Sequence, residues 1–401
     1  MIRPIPRVVR WALLLGLVTT GHALAQGAVE PLPGPLATEC SVEACLNSRC
    51  SAHGLSGTAD LQQIGHVLWA TGKAPIVGAY RHVWVATPTG TYLYDPAGHA
   101  LILHKPDKVA GAAFAITCEA ELAFDAGVAY MPAILAAVSL WGSGGVSVVS
   151  CPQGTQLCFG VQQVTGLTSE RVAHCSVAAD DPGWLPDPST TGCNRLEHVL
   201  DHLRCTDDFA QTPLTLSQIS QILWAGYGCT PHTTYNGKSG LTVPSAYALY
   251  YLSGAIYVVD ERGVYRYLNR TAGDDPATRD HRMECIRPGD FRRPLRDVVA
   301  GLPQAPCCVV LCLPDVHSEQ HYAQLEVGFV AGNMLLQASA LDLGCYFNAR
   351  LSAEQRRHVQ SVTGIPDNHI PQAITSIGPV PRVELPEVQA TMVSSDREGH
   401  S

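Results

Sequence analysis

Four side chains within thirteen residues are of the types that bind zinc: Cys193, His198, His202 and Cys205. On a helix, the two histidines stand four residues apart and share a face. Two thiolates and two imidazoles could then close a tetrahedral metal site. The competing reading is a Cys193–Cys205 disulfide beside two surface imidazoles, and on balance no metal is assigned. A second set, Cys40-x4-Cys45-x4-Cys50, is expected to staple a loop-rich N-terminal segment. Cys307, Cys308 and Cys312 lie in an apolar run that reads as a buried strand, where they serve as small hydrophobes. No C-x-x-C-H, G-x-S-x-G, H-E-x-x-H or P-loop pattern occurs, so no catalytic residue is assigned. Isolated histidines such as His321 and His369 read as structural. Asn269-Arg-Thr271 forms a glycosylation sequon.

The meaning of the cysteines depends on the compartment. Arg3, Arg7 and Arg10 precede the apolar run from Trp11 to Val18, and Ala23-Leu24-Ala25 follows. That is the layout of a secretory signal peptide over residues 1–25. The run falls short of the roughly 20 apolar residues that span a bilayer. The mature chain is therefore expected to be exported, periplasmic or secreted, with no membrane attachment after cleavage. In an oxidising compartment most of the 15 cysteines should pair, and their odd number leaves at least one over.

The chain has 401 residues, of which 46% are hydrophobic and 15% charged, a balance that excludes a disordered polyampholyte. Its 26 Lys+Arg against 35 Asp+Glu give a net charge of -9, without a basic tract, which excludes nucleic acid as a partner.

The elements that must position any site come twice. Asp60–Ala70, with Trp69, is echoed by Leu216–Ala225, with Trp224. Gly90-Thr-Tyr92-Leu-Tyr94 is echoed by Gly263-Val-Tyr265-Arg-Tyr267. Asp125-Ala-Gly127 and Glu326-Val-Gly328 each open a small-residue helix, and the Val161–Leu167 segment returns at Val359–Ile365. Four matches in one order describe a diverged tandem repeat. The copies run over 55–170 and 212–380. They are flanked by a Cys-rich segment (26–54), a Cys- and Pro-containing linker (171–211) and a disordered tail (381–401). Helices interleave with hairpins such as Ala255–Val259 and Val264–Tyr267, without strict βαβ alternation, which predicts α+β.

The second copy resembles a known family. Ile222-Leu-Trp224-Ala-Gly-Tyr-Gly, Leu241-Thr242-Val-Pro244-Ser245-Ala246-Tyr-Ala-Leu249-Tyr250, and the helix Glu326-Val-Gly328 through Asn333 to Gly344 are similar to nitroreductase-superfamily blocks, closest to the SagB/thiazoline-oxidase branch. The resemblance covers about 160 residues. It implies two domains, each a mixed or antiparallel sheet flanked by helices, forming an internal pseudo-dimer that would be complete as a monomer. It also implies FMN bound between the repeats, with a small-molecule electron donor and acceptor. By the same resemblance, Pro244, Ser245 and Ala246 would meet the flavin, Thr242 and Lys238 its phosphate, Asn333 a polar edge, and Gly344 the ring.

Three departures weigh against this. The family's Arg before Thr is Leu241 here, which removes a phosphate clamp. Gly332 stands where Gln is usual, and the first copy lacks the Thr-Val-Pro-Ser-Ala segment. The alternative is a cofactor-free scaffold or binding protein.

Overall fold

The structure, a computed structural model, describes residues 27–51, 55–106, 109, 112–143, 146–151, 154–160, 162–163, 183–234, 236–270 and 279–381. The signal peptide, linker residues 171–182, the tail beyond 381 and Thr271 of the sequon lie outside the described residues. The same holds for most of the repeat match at 161–167.

The first half contains β1 (Val29–Pro31), α1 (Val42–Ser48), β2 (Leu55–Ser56), α2 (Leu61–Lys73), β3 (Arg81–Ala86), β4 (Thr91–Asp95), β5 (Ala100–Lys105), β6 (Phe114–Ala120), α3 (Ala123–Trp141), β7 (Val146–Cys151), β8 (Gly154–Phe159) and β9 (Gln162–Gln163). The second half contains α4 (Leu196–Asp201), α5 (Leu216–Tyr227), β10 (Cys229–Thr233), β11 (Ser239–Leu241), β12 (Ile256–Val259), β13 (Gly263–Arg270), β14 (Arg279–Pro288), α6 (Arg292–Val298), β15 (Cys307–Pro314), α7 (His321–Ala340), β16 (Leu343–Asn348), α8 (Ala353–Thr363) and β17 (His369–Pro379).

The repeat seen in the sequence returns as topology. One sheet has the order β1-β5-β4-β3-β6-β8-β7 and the other β14-β13-β12-β15-β17-β16. Without the edge strand β1, the two orders match element for element. Each comprises a meander of three strands, a fourth strand, a long helix, and two closing strands. Neighbouring strands pair antiparallel, as β3 with β6 and β12 with β15.

Local chemistry starts the matching helices alike. Asp60 caps α2 with Gln63 closing a capping box, and Thr215 does the same for α5 with Gln218. These caps satisfy backbone N–H groups that a helix start leaves without partners.

The two long helices, α3 and α7, pack against each other between the sheets. A continuous apolar core joins residues of both halves, from Leu68 and Met131 to Met334 and Ala373. Helix α3 is long and apolar enough to cross a membrane, yet most of it is buried inside the protein. Its place is the core of this fold.

The helices meet at the matched glycines. A Cβ on Gly328 would strike the Phe124 carbonyl and come within 2.9 Å of Gly127 Cα. A Cβ on Gly127 would run into the Leu325 carbonyl and come within 2.8 Å of Gly328 Cα. Gly332 meets Val128 and Met131 the same way, with the Val128 carbonyl at 3.1 Å from its would-be Cβ. The small-residue face of α7 thus serves close helix packing.

The structure places two motifs singled out in the sequence. Cys193, His198, His202 and Cys205 do not converge, and no metal-holding group occurs among the described residues. Instead His202 Nδ1 lies 2.8 Å from the His198 carbonyl, and Cys205 sits in register beside Cys345. Asn269 of the sequon is buried, and its Nδ2 donates to the Tyr227 carbonyl at 2.7 Å, so it presents no acceptor amide to solvent.

Gly328→Ala is expected to lower stability by about 1–3 kcal/mol, because backbone on both helices must shift to admit the methyl group. A urea midpoint unchanged from the parent chain would show that the α3–α7 contact is looser than described.

Candidate active site

The segment after α5 carries the residues singled out in the sequence. Trp224 is buried and its Nε1 donates to the Cys229 carbonyl at 3.0 Å, which fixes the turn into β10. The chain returns along β11 and passes Thr242, whose N–H donates to the Gly228 carbonyl at 3.0 Å. Leu241, Thr242 and Val243 are wholly buried.

The group that meets this segment comes from the other half. Arg49, the C-cap of α1, is 2% exposed. Its Nε donates to the Thr242 carbonyl at 3.0 Å, and one terminal nitrogen donates to the carbonyls of Leu241 at 2.5 Å and Val243 at 3.2 Å. Among the described residues it makes no ion pair with a carboxylate. Burial pulls its pKa below the ordinary value, though a guanidinium stays charged in proteins. A buried cation facing carbonyl dipoles alone is costly to maintain.

Asn333 of α7 approaches the same point, its Nδ2 donating to the Thr242 carbonyl at 3.3 Å. Two buried polar atoms beside it, Thr242 Oγ1 and Asn333 Oδ1, have no hydrogen-bond partner among the described residues. The cluster therefore offers a positive charge and spare hydrogen-bonding capacity, which suits an anionic ligand rich in acceptors and donors.

A second polar group lies one step further along. Tyr227 donates to Glu326 Oε1 at 2.5 Å and accepts the N–H of Leu252 at 3.0 Å. Burial pushes the Glu326 carboxyl up to about 7, tempered by the hydroxyls of Ser245 and Tyr227 and by backbone at Leu252 and Tyr251. This carboxyl can hold or release a proton near neutrality. Ser245 Oγ also accepts the Tyr250 N–H at 2.8 Å. Between them the chain is strained: Tyr247, Ala248 and Tyr250 have φ of 54°, 50° and 54°. Such values in residues other than Gly cost energy and concentrate at functional sites. Tyr247 is 75% exposed at this surface.

A third set of contacts ties the halves together. Gln337 of α7 donates to Glu43 Oε1 of α1 at 2.8 Å, and Gln221 of α5 donates to Gln337 Oε1 at 3.2 Å. All three side chains are buried. A cavity of about 420 Å³ beside Tyr265, Met283 and Cys285 shares none of these residues.

The sequence profile described as "Nitroreductase family" matches residues 204–379. The crystal structure of "a putative nitroreductase from anabaena variabilis" is 15% identical and covers 89% of this chain and 94% of its own, with a TM-score of 0.58. That likeness concerns the fold, and it takes in far more than the second half. The protein named "Putative nitroreductase MJ1384", from Methanocaldococcus jannaschii, is 31% identical over 166 residues, 37% of this chain and 76% of its own length. The chain belongs to the nitroreductase family. It is an oxidoreductase of nitroreductase type, and its α+β fold has sheets flanked by helices, as the sequence implied.

Within this nitroreductase fold the expected site residues divide. Thr242 and Asn333 come together, with Pro244 buried next in the chain, and Ser245 connects them to Glu326. Ala246 opens the strained segment and is half-buried. Lys238 is half-buried in the β10–β11 turn, where its carbonyl accepts the Thr234 N–H at 2.8 Å. Gly344 does not join them. It lies on β16, and the place a Cβ would take is bounded by Val380 at 3.0 Å and Phe209 at 3.2 Å, with Thr206 closer still. Its lack of a side chain admits neighbouring protein there.

Arg49 was missed, although a signal existed. Arg49-Cys50-Ser51 and Arg204-Cys205-Thr206 each begin twenty residues before the repeat tryptophan, Trp69 or Trp224. The family match likewise begins at 204, so it takes in Arg204-Cys205-Thr206.

Glu326 makes stability depend on pH. Its folded value of about 7 stands above the ordinary 4.5, so the folded protein holds more protons between those limits. Its contribution is complete below about pH 4.5 and is lost as pH rises through 7. The loss amounts to about 3 kcal/mol. Glu326→Gln should flatten the fall in urea midpoint between acidic and mildly alkaline buffers; an unchanged slope would place the effect elsewhere.

Proposed function

We propose that this chain is an exported FMN-dependent oxidoreductase whose two halves act as an internal pseudo-dimer, with the flavin between them. It passes electrons from a small-molecule donor to a small-molecule acceptor. The matching strand orders and the meeting of Gly127 with Gly328 support the pseudo-dimer, and such a chain is complete as a monomer. The Arg-rich start and the Ala23-Leu24-Ala25 site support export.

One observation carries the reading. The first half sends Arg49 into the second half's Leu241–Val243 segment, where it is buried with no carboxylate partner among the described residues. The charge absent from the sequence at Leu241 is thereby restored in space. Arg49, Thr242 and Asn333 fit an anionic, hydrogen-bonding cofactor, since two of them hold orphaned polar atoms. Lys238 stands near enough in sequence to add a point charge. FMN, when bound, supplies the hydride chemistry. The chain's own residues hold it, exclude water, and keep a proton ready on Glu326 beside Ser245. Tyr247, exposed at the surface of the strained segment, is placed to meet an acceptor.

The purified protein should absorb as a flavoprotein after incubation with FMN. Arg49→Met is expected to weaken FMN binding by about 2 kcal/mol, or about thirtyfold, with Arg49→Lys between it and the parent. Ser245→Trp should abolish uptake. A chain that remains colourless with excess FMN would favour the cofactor-free scaffold instead.

A further inference from the structure

Helix α1 begins at a cysteine pair. Its N-cap is Ser41, whose Oγ accepts the Ala44 N–H at 3.2 Å, so Cys40 is the residue before the cap and Cys45 the fourth residue of the helix. Those two positions are where a hydrophobic staple brings side chains together and fixes the angle at which the chain enters a helix. Here both carry thiols, and the two sulfurs are within hydrogen-bonding reach of each other. Cys40 is half-buried, Cys45 fully buried, and both are free.

The surroundings hold the pair in place. Leu196 donates to the Cys40 carbonyl at 2.8 Å, Gly192 donates to Ser41 Oγ at 2.9 Å, and Ser41 bridges Arg195. Hydrogen bonding from Cys45 lowers the Cys40 thiol below its ordinary value against burial and Glu197, while the same contact and burial raise Cys45. Half-buried Cys40 is the sulfur a dissolved disulfide can reach and buried Cys45 lies behind it, the arrangement of an attacking and a resolving thiol.

We propose that Cys40 and Cys45 form a reversible disulfide that controls the order of α1 and hence the hold of Arg49 on the Leu241–Val243 carbonyls. The oxidant is a low-molecular-weight disulfide. The Cys40 thiolate attacks one of its sulfurs, expels a small thiolate and leaves a mixed disulfide. Cys45 then attacks the Cys40 sulfur, its proton passing to the second small thiolate as that group leaves. Two protein thiols are oxidised and one small disulfide is reduced to two thiols. A helix of seven residues has little stability of its own. Closing its first turn covalently removes unfolded alternatives and keeps Glu43 and Arg49 directed at α7 and the second half. The thiol chemistry stands alone, whereas its consequence for FMN rests on the function proposed above.

The tryptic peptide ending at Arg49 contains only these two of the 15 cysteines. After equilibration of the whole protein with glutathione disulfide, unfolding and alkylation, that peptide should be lighter by two hydrogens than the unalkylated dithiol and carry no label. Cys45→Ser should instead leave Cys40 glutathionylated, and Cys40→Ser should leave Cys45 as a labelled thiol. Hydrogen exchange over 42–49 and 241–245 should be slower by about tenfold in the oxidised protein than in the reduced one, and insensitive to redox state in either variant. FMN binding should be tighter by about fivefold on oxidation. Two labelled thiols in oxidising buffer, or a disulfide that leaves exchange unaltered, would overturn the proposal. A chain that takes up no FMN in either state would refute the proposed function, while peptide mass and exchange would still decide this one.

Discussion

The fold depends on the contact between α3 and α7 at Gly127 and Gly328. Helices that approach this closely leave no room for a Cβ on either side, so each glycine is required by the other's backbone. The contact sets the separation of the two sheets and joins their apolar faces into one core. It also decides where the second half's loop lies relative to the first half's N-terminal segment. A shift at this crossing would carry Asn333 of α7 away from Thr242, and Gln337 away from Glu43.

Onto this frame the protein places polar groups that an apolar core would exclude. Arg49, Glu43, Glu326, Asn333 and Gln337 are all buried. Each makes at least one hydrogen bond, yet among the described residues Glu43 Oε2, Glu326 Oε2 and Asn333 Oδ1 have no partner, nor has Thr242 Oγ1 beside Arg49. Buried orphan atoms and a cation that donates to carbonyls, with no carboxylate partner among the described residues, lower stability. Where a buried cation, two orphaned atoms and a strained backbone segment adjoin, as at Arg49, Thr242, Asn333 and Tyr247–Tyr250, the cost suits a ligand site better than the resting fold. Glu326 extends this logic, because a carboxyl kept near neutrality by burial is useful for proton traffic and a burden for stability.

Much of this was legible in the sequence, and the failures have identifiable causes. The repeat, the hairpins and the starts of α2 and α5 follow from local pattern, since caps and alternation act over a few residues. The family blocks around Thr242 and Asn333 were likewise visible and do meet. The neighbours of Gly344 were not legible, because the sequence does not disclose that residues 204–209 pack against β16. The four Cys and His residues at 193–205, to which no metal was assigned, do not share a helix, because α4 begins at Leu196 and ends at Asp201. Asn269 matched a modification pattern that takes no account of burial.

The sequence by itself determined the doubled order of elements, the absence of a positive residue at Leu241 and membership in a family recognisable over its second half. These are properties of neighbouring residues, carried by spacing and side-chain type. Only the tertiary structure decided that Arg49 occupies the neighbourhood of Leu241. The two are 192 residues apart, and no local periodicity links them. Their contact exists because α3 and α7 cross where two glycines allow it, which brings α1 of one half against the loop of the other.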